Sequence, residues 1–230
     1  MSKPPAKILL YDIETSHLKA DFGSLLAFGY KWLHEKRVNV PTILDFNPKN
    51  AIDDSGITAE ANRVLSEADM VVTFYGKGFD QKFLNAKFLE HDLPILANIP
   101  HVDLFFTVKS NLALTRKSLA NVAYFLQLAN VKTPVEGRLW KQAMIGEPKA
   151  IKYVKDHCRA DVLILEEAYL RLLPLIRTHP RVAGADLGRC RACGSDKLQS
   201  RGRHITALQK PRRRVQCQDC ASWDTRPMEK

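Results

Sequence analysis

Residues 8–15 read Ile8-Leu9-Leu10-Tyr11-Asp12-Ile13-Glu14-Thr15. An apolar run leads straight into two carboxylates spaced i, i+2. On a β-strand the side-chain period is two, so Asp12 and Glu14 face the same way. Two like charges on a strand otherwise made of Ile and Leu are expensive to keep. A bound cation offsets that cost, and carboxylates suit Mg²⁺ or Mn²⁺. Taken alone, the pair also fits a strand end that dips into solvent with both acids hydrated. Two further acids downstream, Asp80 and Asp161, bear on the choice.

Around this strand, which the pattern places at 7–13, the chain reads as alternating elements. Residues 24–33 (SLLAFGYKWL) and 38–46 (VNVPTILDF) predict two more strands, joined by a short polar connection that favours antiparallel pairing. Pro41 prefers an edge or a bulge. Asp53-Asp54-Ser55 offers N-cap residues for a helix over roughly 58–68. Residues 70–74 (MVVTF) predict a buried strand, and Tyr75-Gly76-Lys77-Gly78 punctuates the exit into a helix over 79–90. Residues 101–108 predict a strand or an extended segment, followed by helices over 118–128 and 137–145. Pro148 begins the longest helical pattern, which runs to about Arg177, with Pro174 as a kink or an early end. Strands first, then alternating helices and strands, predict an α/β domain with a mixed sheet.

A length of 230 residues allows one sizeable core plus a small appendage. No apolar leader stands at the N-terminus, and no run is long enough to span a membrane, so a soluble, cytoplasmic protein without a membrane partner is expected. The formal net charge is +10, and it is unevenly spread. From Arg189 onward there are eleven Lys and Arg against four Asp and Glu. Such a tail points to polyanions, nucleic acid first and anionic lipid second, and of the nucleic acids DNA is expected ahead of RNA.

Asp80 starts a helix just past a buried strand, where sites gather in α/β sheets. Asp161 lies in the long helix with His157 four residues earlier, on the same face. Together these features resemble the DEDD exonucleases, the DnaQ-like branch of the RNase H-like superfamily. Asp12 and Glu14 match the family's Asp-x-Glu. Residues 75–84 (YGKGFDQKFL) match its second motif around Asp80. His157-Cys158-Arg159-Ala160-Asp161 matches its third. The neighbourhood is most similar to the YprB-type predicted exonucleases. The resemblance covers roughly 7–177.

The resemblance implies an RNase H-like mixed sheet flanked by helices and a 3′→5′ exonuclease with two Mg²⁺ or Mn²⁺ ions. Asp12, Glu14, Asp80 and Asp161 would be the ligands, Asp12 bridging, and His157 the general base. The chemistry is coherent on physical grounds. A phosphodiester repels hydroxide, and two divalent ions neutralise it while stabilising the leaving oxygen. An imidazole titrates near the working pH. Two departures stand out. Tyr75 replaces the family's usual Asn, and the third motif has His at the spacing of the Tyr subtype. A structure-selective endonuclease on the same fold, or a catalytically silent nucleic-acid-binding adaptor, are the alternatives.

Other residues read less sharply. His157 also fits a surface histidine. Lys77 fits either a phosphate contact or a solvated loop lysine. His101 and Asp103 read as structural. Phe79, Phe83 and Trp140 read as core.

Cys190-Arg-Ala-Cys193 and Cys217-Gln-Asp-Cys220 stand twenty-three residues apart. Two such knuckles supply four thiolates for one tetrahedral Zn²⁺, a structural site with no open position. This resembles a zinc ribbon. Arg201, Arg203, His204, Lys210, Arg212, Arg213 and Arg214 lie between the knuckles and would track phosphates. A solvated basic hairpin is the plainer reading. Cys158, on the apolar stripe of the long helix, reads as a core thiol. The expected domains are thus 1–179, a linker at 180–188, and a zinc ribbon at 189–230.

Overall fold

A computed structural model describes residues 6–50, 52–96, 98–130, 133–182, 186–206 and 210–228. The central strand β1 (Ile8–Thr15) pairs antiparallel with β2 (Leu25–Trp32) and parallel with β3 (Met70–Thr73). A short β4 (His101–Asp103) adds parallel to β3, giving the order β2-β1-β3-β4. The sheet is mixed, as the sequence predicts. Because β1 and β3 run the same way, their carboxyl ends open on the same edge, where Asp12 and Glu14 stand.

The predicted strand over 38–46 does not form. Only isolated bridges join Asn39 to Tyr30 and Thr42 to Ala27, and the chain then turns into α1 (Ile43–Phe46). Pro41 has no N–H to extend a ladder. Thr42 and Asp45 form a capping box that closes a helical turn instead. Helix α2 covers Ser55–Ser66, three residues earlier than the pattern suggested. Asp54 takes the N-cap position but does not cap. Its carboxylate accepts the Leu25 N–H of β2 and pairs with Lys87 and His91.

Helix α3 (Asp80–Glu90) follows β3 as expected. The segment 101–108 divides into β4 and a helix, α4 (Leu104–Asn111), rather than staying extended. The cause is Asp103, whose side chain caps α4 by accepting the Phe105 N–H. Helices α5 (Leu119–Leu126) and α6 (Gly137–Met144) lead to the long α7 (Pro148–Leu172). Pro174 then sits in a 3₁₀ turn, Leu173–Leu175.

Helix α7 lies over the sheet face that carries Asp12. Its Cys158 sulfur is 3.6 Å from the Asp12 carbonyl oxygen. Gly29 stands opposite Asp12 in the register, and a Cβ there would lie 2.6 Å from that sulfur. A glycine is therefore required for the helix to come this close. One turn or more along, Lys31 of β2 and Glu166 of α7 form a buried ion pair that fixes the helix against the strand. Leu9, Tyr11, Ile13, Phe28, Phe83, Phe88, Val154 and Val162 belong to the apolar core that the sheet and helices enclose.

The chain divides into two compact units, one spanning Lys7–Ala168 and the other carrying Tyr169–Lys230. The second unit therefore begins inside α7, ahead of the expected 180–188 linker, of which 183–185 lie outside the described residues. Within it, Tyr169 donates to the buried His179, and Ser222 donates to the Leu173 carbonyl. Its sheet is a three-stranded antiparallel meander, β5 (Leu198–Ile205), β6 (Pro211–Cys217) and β7 (Trp223–Pro227). Among the described residues, no helix is long and apolar enough to cross a membrane.

Candidate metal sites and nucleic-acid interface

Three elements converge at the edge where β1 ends. Strand β1 presents Asp12 and Glu14, both half-buried and on one face. Helix α7 brings His157 and Asp161, 2% and 3% exposed, so His157 is a buried residue and not a surface histidine. Glu14, His157 and Asp161 each offer a ligand atom within 4.8 Å of the others. The His157 Nε2 atom is 3.9 Å from both a Glu14 and an Asp161 oxygen. Asp12, Glu14 and Cys158 form a second such group.

Asp80 belongs to neither group. It sits in the first turn of α3, and its Oδ1 accepts the Ile13 N–H at 3.2 Å, between the two acids of β1. Burial pushes the Asp80 carboxyl up to about 7, and the charges of Asp103 and Asp161 push the same way. A carboxyl pushed toward its neutral form by burial, with other acids close by, is one that a cation would return to its charged form. The donors are hard oxygens with one imidazole, the set that suits Mg²⁺ or Mn²⁺. Burial raises the Cys158 thiol well above its usual range, and the charges of Asp12, Glu14 and Asp161 add to the effect. It is thus a neutral thiol packed beside the acids, as its place on the apolar stripe suggested.

Two residues that frame this site carry no sequence signal of their own. The Thr133 hydroxyl lies 2.6 Å from His157 Nδ1. Trp140 donates its indole N–H to the Thr15 carbonyl and meets the His157 ring edge-to-face at 5.4 Å. Asp103, expected to be structural, accepts the backbone N–H groups of Tyr75, Lys77 and Phe105. It thereby fixes the turn that delivers Asp80. His101 is structural too. Its Nε2 meets the Thr73 hydroxyl at 2.7 Å, and its Nδ1 meets the Gln81 side-chain oxygen. Burial, then Lys77, lowers His101 to about 4. Tyr75 holds the left-handed region at φ +70°, a conformation that Asn adopts more cheaply. That accounts for an Asn at this place in the motif the sequence resembles. Lys77 is exposed in the turn.

In the second unit the four cysteine sulfurs lie within 4.8 Å of one another. Cys190 is 3.6 Å from Cys220, and Cys193 is 3.6 Å from Cys217. Four sulfurs around a tetrahedral ion at zinc–sulfur distance would be about 3.8 Å apart. The donors therefore fit one such ion. The Ala192 N–H donates to the Cys190 sulfur. The Cys220 thiol holds Cys190 well below the ordinary thiol range, toward the ligating thiolate. Each knuckle closes on a left-handed residue, Gly194 at φ +77° and Ala221 at φ +57°.

The basic residues lie on β5 and β6, except Lys210, which immediately precedes β6. Arg201, Arg203, His204, Lys210 and Arg214 are exposed, while Arg212 and Arg213 are half-buried. Arg203 stands directly opposite Arg213, and His204 opposite Arg212. Two arginines directly opposite each other, as Arg203 and Arg213 are, form an unfavourable cross-strand pair of like charges. Arg212 sends two N–H groups to Thr225 on β7, and Arg214 lies over the Trp223 ring at 5.1 Å. These two also hold the meander together.

No curated protein matches the sequence. Among the solved structures that match is a family B DNA polymerase from the hyperthermophilic archaeon Pyrobaculum calidifontis, with a TM-score of 0.54 and 18% identity. The match covers 80% of this chain and 28% of the polymerase chain, and at that identity it concerns the fold. A family model described as RNase_H superfamily matches residues 9–173, a span that takes in all four acids and His157. With the mixed sheet, the flanking helices and the acids gathered at the edge of β1, the chain belongs to the RNase_H superfamily.

Proposed function

We propose that this chain is a metal-dependent 3′→5′ exonuclease that hydrolyses nucleic-acid phosphodiesters and releases nucleoside 5′-monophosphates. Its cysteine ribbon, closed by a structural zinc ion, holds the substrate, with DNA preferred to RNA. The observation that carries this reading is the meeting of Glu14, His157 and Asp161 within 4.8 Å, beside Asp12 and the Asp80 that is tied to Ile13.

Asp12, Glu14, Asp80 and Asp161 would hold two divalent ions. When bound, such a pair supplies charge neutralisation at the phosphate and lowers the pKa of the attacking water. The protein's own part is positioning and proton transfer. With His157 Nδ1–H donated to Thr133, the Nε2 lone pair faces Glu14 and Asp161. That nitrogen takes the proton of the water that attacks phosphorus. The bond from phosphorus to the 3′ oxygen breaks, and that oxygen takes a proton from solvent to become the 3′ hydroxyl of the shortened strand, while His157 gives its proton back to solvent. Trp140 packs on the imidazole and keeps its orientation.

End-labelled single- and double-stranded DNA and RNA, each with Mg²⁺ or Mn²⁺, test the reading. Mononucleotides are expected from free 3′ ends, and a covalently closed circle should survive. Fragments from the circle would replace an exonuclease by an endonuclease. No nucleotide release with either metal would end the nuclease reading.

A further inference from the structure

The β3–α3 turn, the first turn of α3 and one side of α4 line an open cavity of about 410 Å³, formed by Tyr75, Lys77, Gly78, Lys82, Phe105, Phe106 and Lys109. Among the described residues, no carboxylate lines it. Its three lysines are exposed, and among the described residues none of them forms an ion pair. Its three rings meet edge-to-face, Tyr75 to Phe105 at 4.7 Å and Phe105 to Phe106 at 5.5 Å. Tyr75 and Phe106 remain 47% and 44% exposed, so aromatic surface is left accessible.

The cavity is built, and its cost is visible. Tyr75 holds a left-handed backbone that a bulky residue disfavours. A Cβ at Gly78 would lie 2.4 Å from the Tyr75 ring, so glycine is what lets the ring lie down there. Asp103 braces both walls from inside, accepting the N–H groups of Tyr75 and Lys77 on one wall and of Phe105 on the other. Asp80, a proposed metal ligand, and Lys82 share the first turn of α3.

Flat rings and unpaired cations side by side fit a ligand that is itself flat and anionic in alternation. We infer that this cavity binds an unpaired base of a single-stranded nucleic acid, stacked on Tyr75 or Phe106, with the adjoining phosphates on Lys77, Lys82 and Lys109. A base inside a duplex has both faces covered by its neighbours, so only a single strand or a frayed end can enter. The inference deepens the proposed nuclease reading and rests on it for the use made of the strand. Selection for single-stranded ends then belongs to the catalytic unit itself.

The test uses the full chain in calcium, with a single-stranded oligonucleotide that carries 5-iodouracil near its 3′ end. Irradiation should crosslink it to Tyr75, Phe105 or Phe106, read by peptide mass spectrometry. By fluorescence anisotropy, Phe106→Ala should weaken single-strand binding about tenfold, within the range of stacking losses, and change blunt-duplex binding less than twofold. Lys82→Ala and Lys109→Ala should each lower the slope of log affinity against log salt by about 0.7. Crosslinks confined to residues 189–228, with Phe106→Ala and Lys109→Ala both binding like the parent, would overturn the inference. The two readings fail separately. A parent that crosslinks here yet releases no nucleotide with Mg²⁺ or Mn²⁺ keeps the cavity and loses the nuclease. A Phe106→Ala variant that degrades single strands with the parent's kcat/KM keeps the nuclease and loses the cavity.

Discussion

The acid cluster and the cysteine ribbon both assemble metal-ligating groups, and they do so in opposite ways. The acids come from β1, α3 and α7, elements far apart in sequence that share one apolar core. That core is built of apolar side chains, and its burial, with the charges of Asp103 and Asp161 adding to it, drives Asp80 up to about 7. In the ribbon the order of cause is reversed. Strand β5 is exposed from Gln199 to Ile205, and little beyond Val215, Cys190, Ala192 and Cys217 is apolar and buried around the knuckles. So few buried apolar groups around the knuckles offset little of the conformational entropy of ordering them, and on the proposed reading an ion held by the four sulfurs would supply the rest. The lesson is that a site with open positions for substrate needs a fold already paid for, whereas a closed four-sulfur site can be the fold.

If that contrast holds, removing ligands should break activity in one unit and structure in the other. The largest effect is expected for Asp161→Asn. It should reduce hydrolysis about a thousandfold or more, the loss of several kcal/mol of transition-state stabilisation. Thermal unfolding of the catalytic unit should stay within a few degrees of the parent. Retained turnover would remove Asp161 from the metal site.

His157→Ala should slow turnover about a hundredfold, the lower end of what a positioned base contributes. Rates measured across pH should also lose the limb set by the imidazole. A variant with the parent's rate and profile would leave His157 as a packing residue.

Cys193→Ser tests the other side. It should release the ribbon's metal, expose the amides of β5, β6 and β7 to hydrogen exchange and lower nucleic-acid affinity about tenfold, with the Lys7–Ala168 unit still protected. Equal zinc content in variant and parent would contradict an ion-built ribbon.

A subtler effect concerns His101, which joins β4 to Thr73 and Gln81. Its pKa is depressed to about 4 in the folded protein, so between pH 6.5 and 4 the unfolded chain binds a proton that the folded chain refuses. The stability it contributes is present above pH 6.5 and is lost as pH falls toward 4, by roughly 3 kcal/mol. The physical cause is burial, which penalises the charged imidazolium, with the Lys77 charge acting in the same direction. Against the parent, His101→Gln should give a flatter melting curve over that window and a similar one above pH 7. Parallel curves would refute the assignment.

The smallest effect is expected at Ala221. Gly194 closes the first knuckle and Ala221 the second, both left-handed, and only the alanine carries a Cβ penalty there. Ala221→Gly should stabilise the metal-loaded ribbon by up to about 1 kcal/mol in denaturant titrations. A loss of stability would mean that the methyl group packs usefully.

What was legible in the sequence was local chemistry with a fixed period. The i, i+2 acids on an apolar strand, the i, i+4 pair on a long helix and the two C-x-x-C knuckles each imply geometry within a few residues. Where the sequence pattern failed, a single residue had two possible uses. Pro41 ended a ladder that the apolar pattern of 38–46 promised, and Asp103 capped a helix where β-like residues predicted extension. Asp54 looked like a cap and became a buried tie between β2 and α3.

By itself, then, the sequence determined which side chains were available and which faces they shared, because helical and strand periods are properties of the backbone. Only the tertiary structure decided that Cys158 borders the acids, that Thr133 orients His157 and that three rings and three lysines line one cavity. Those contacts join residues whose separation along the chain carries no period, and packing alone brings them within reach.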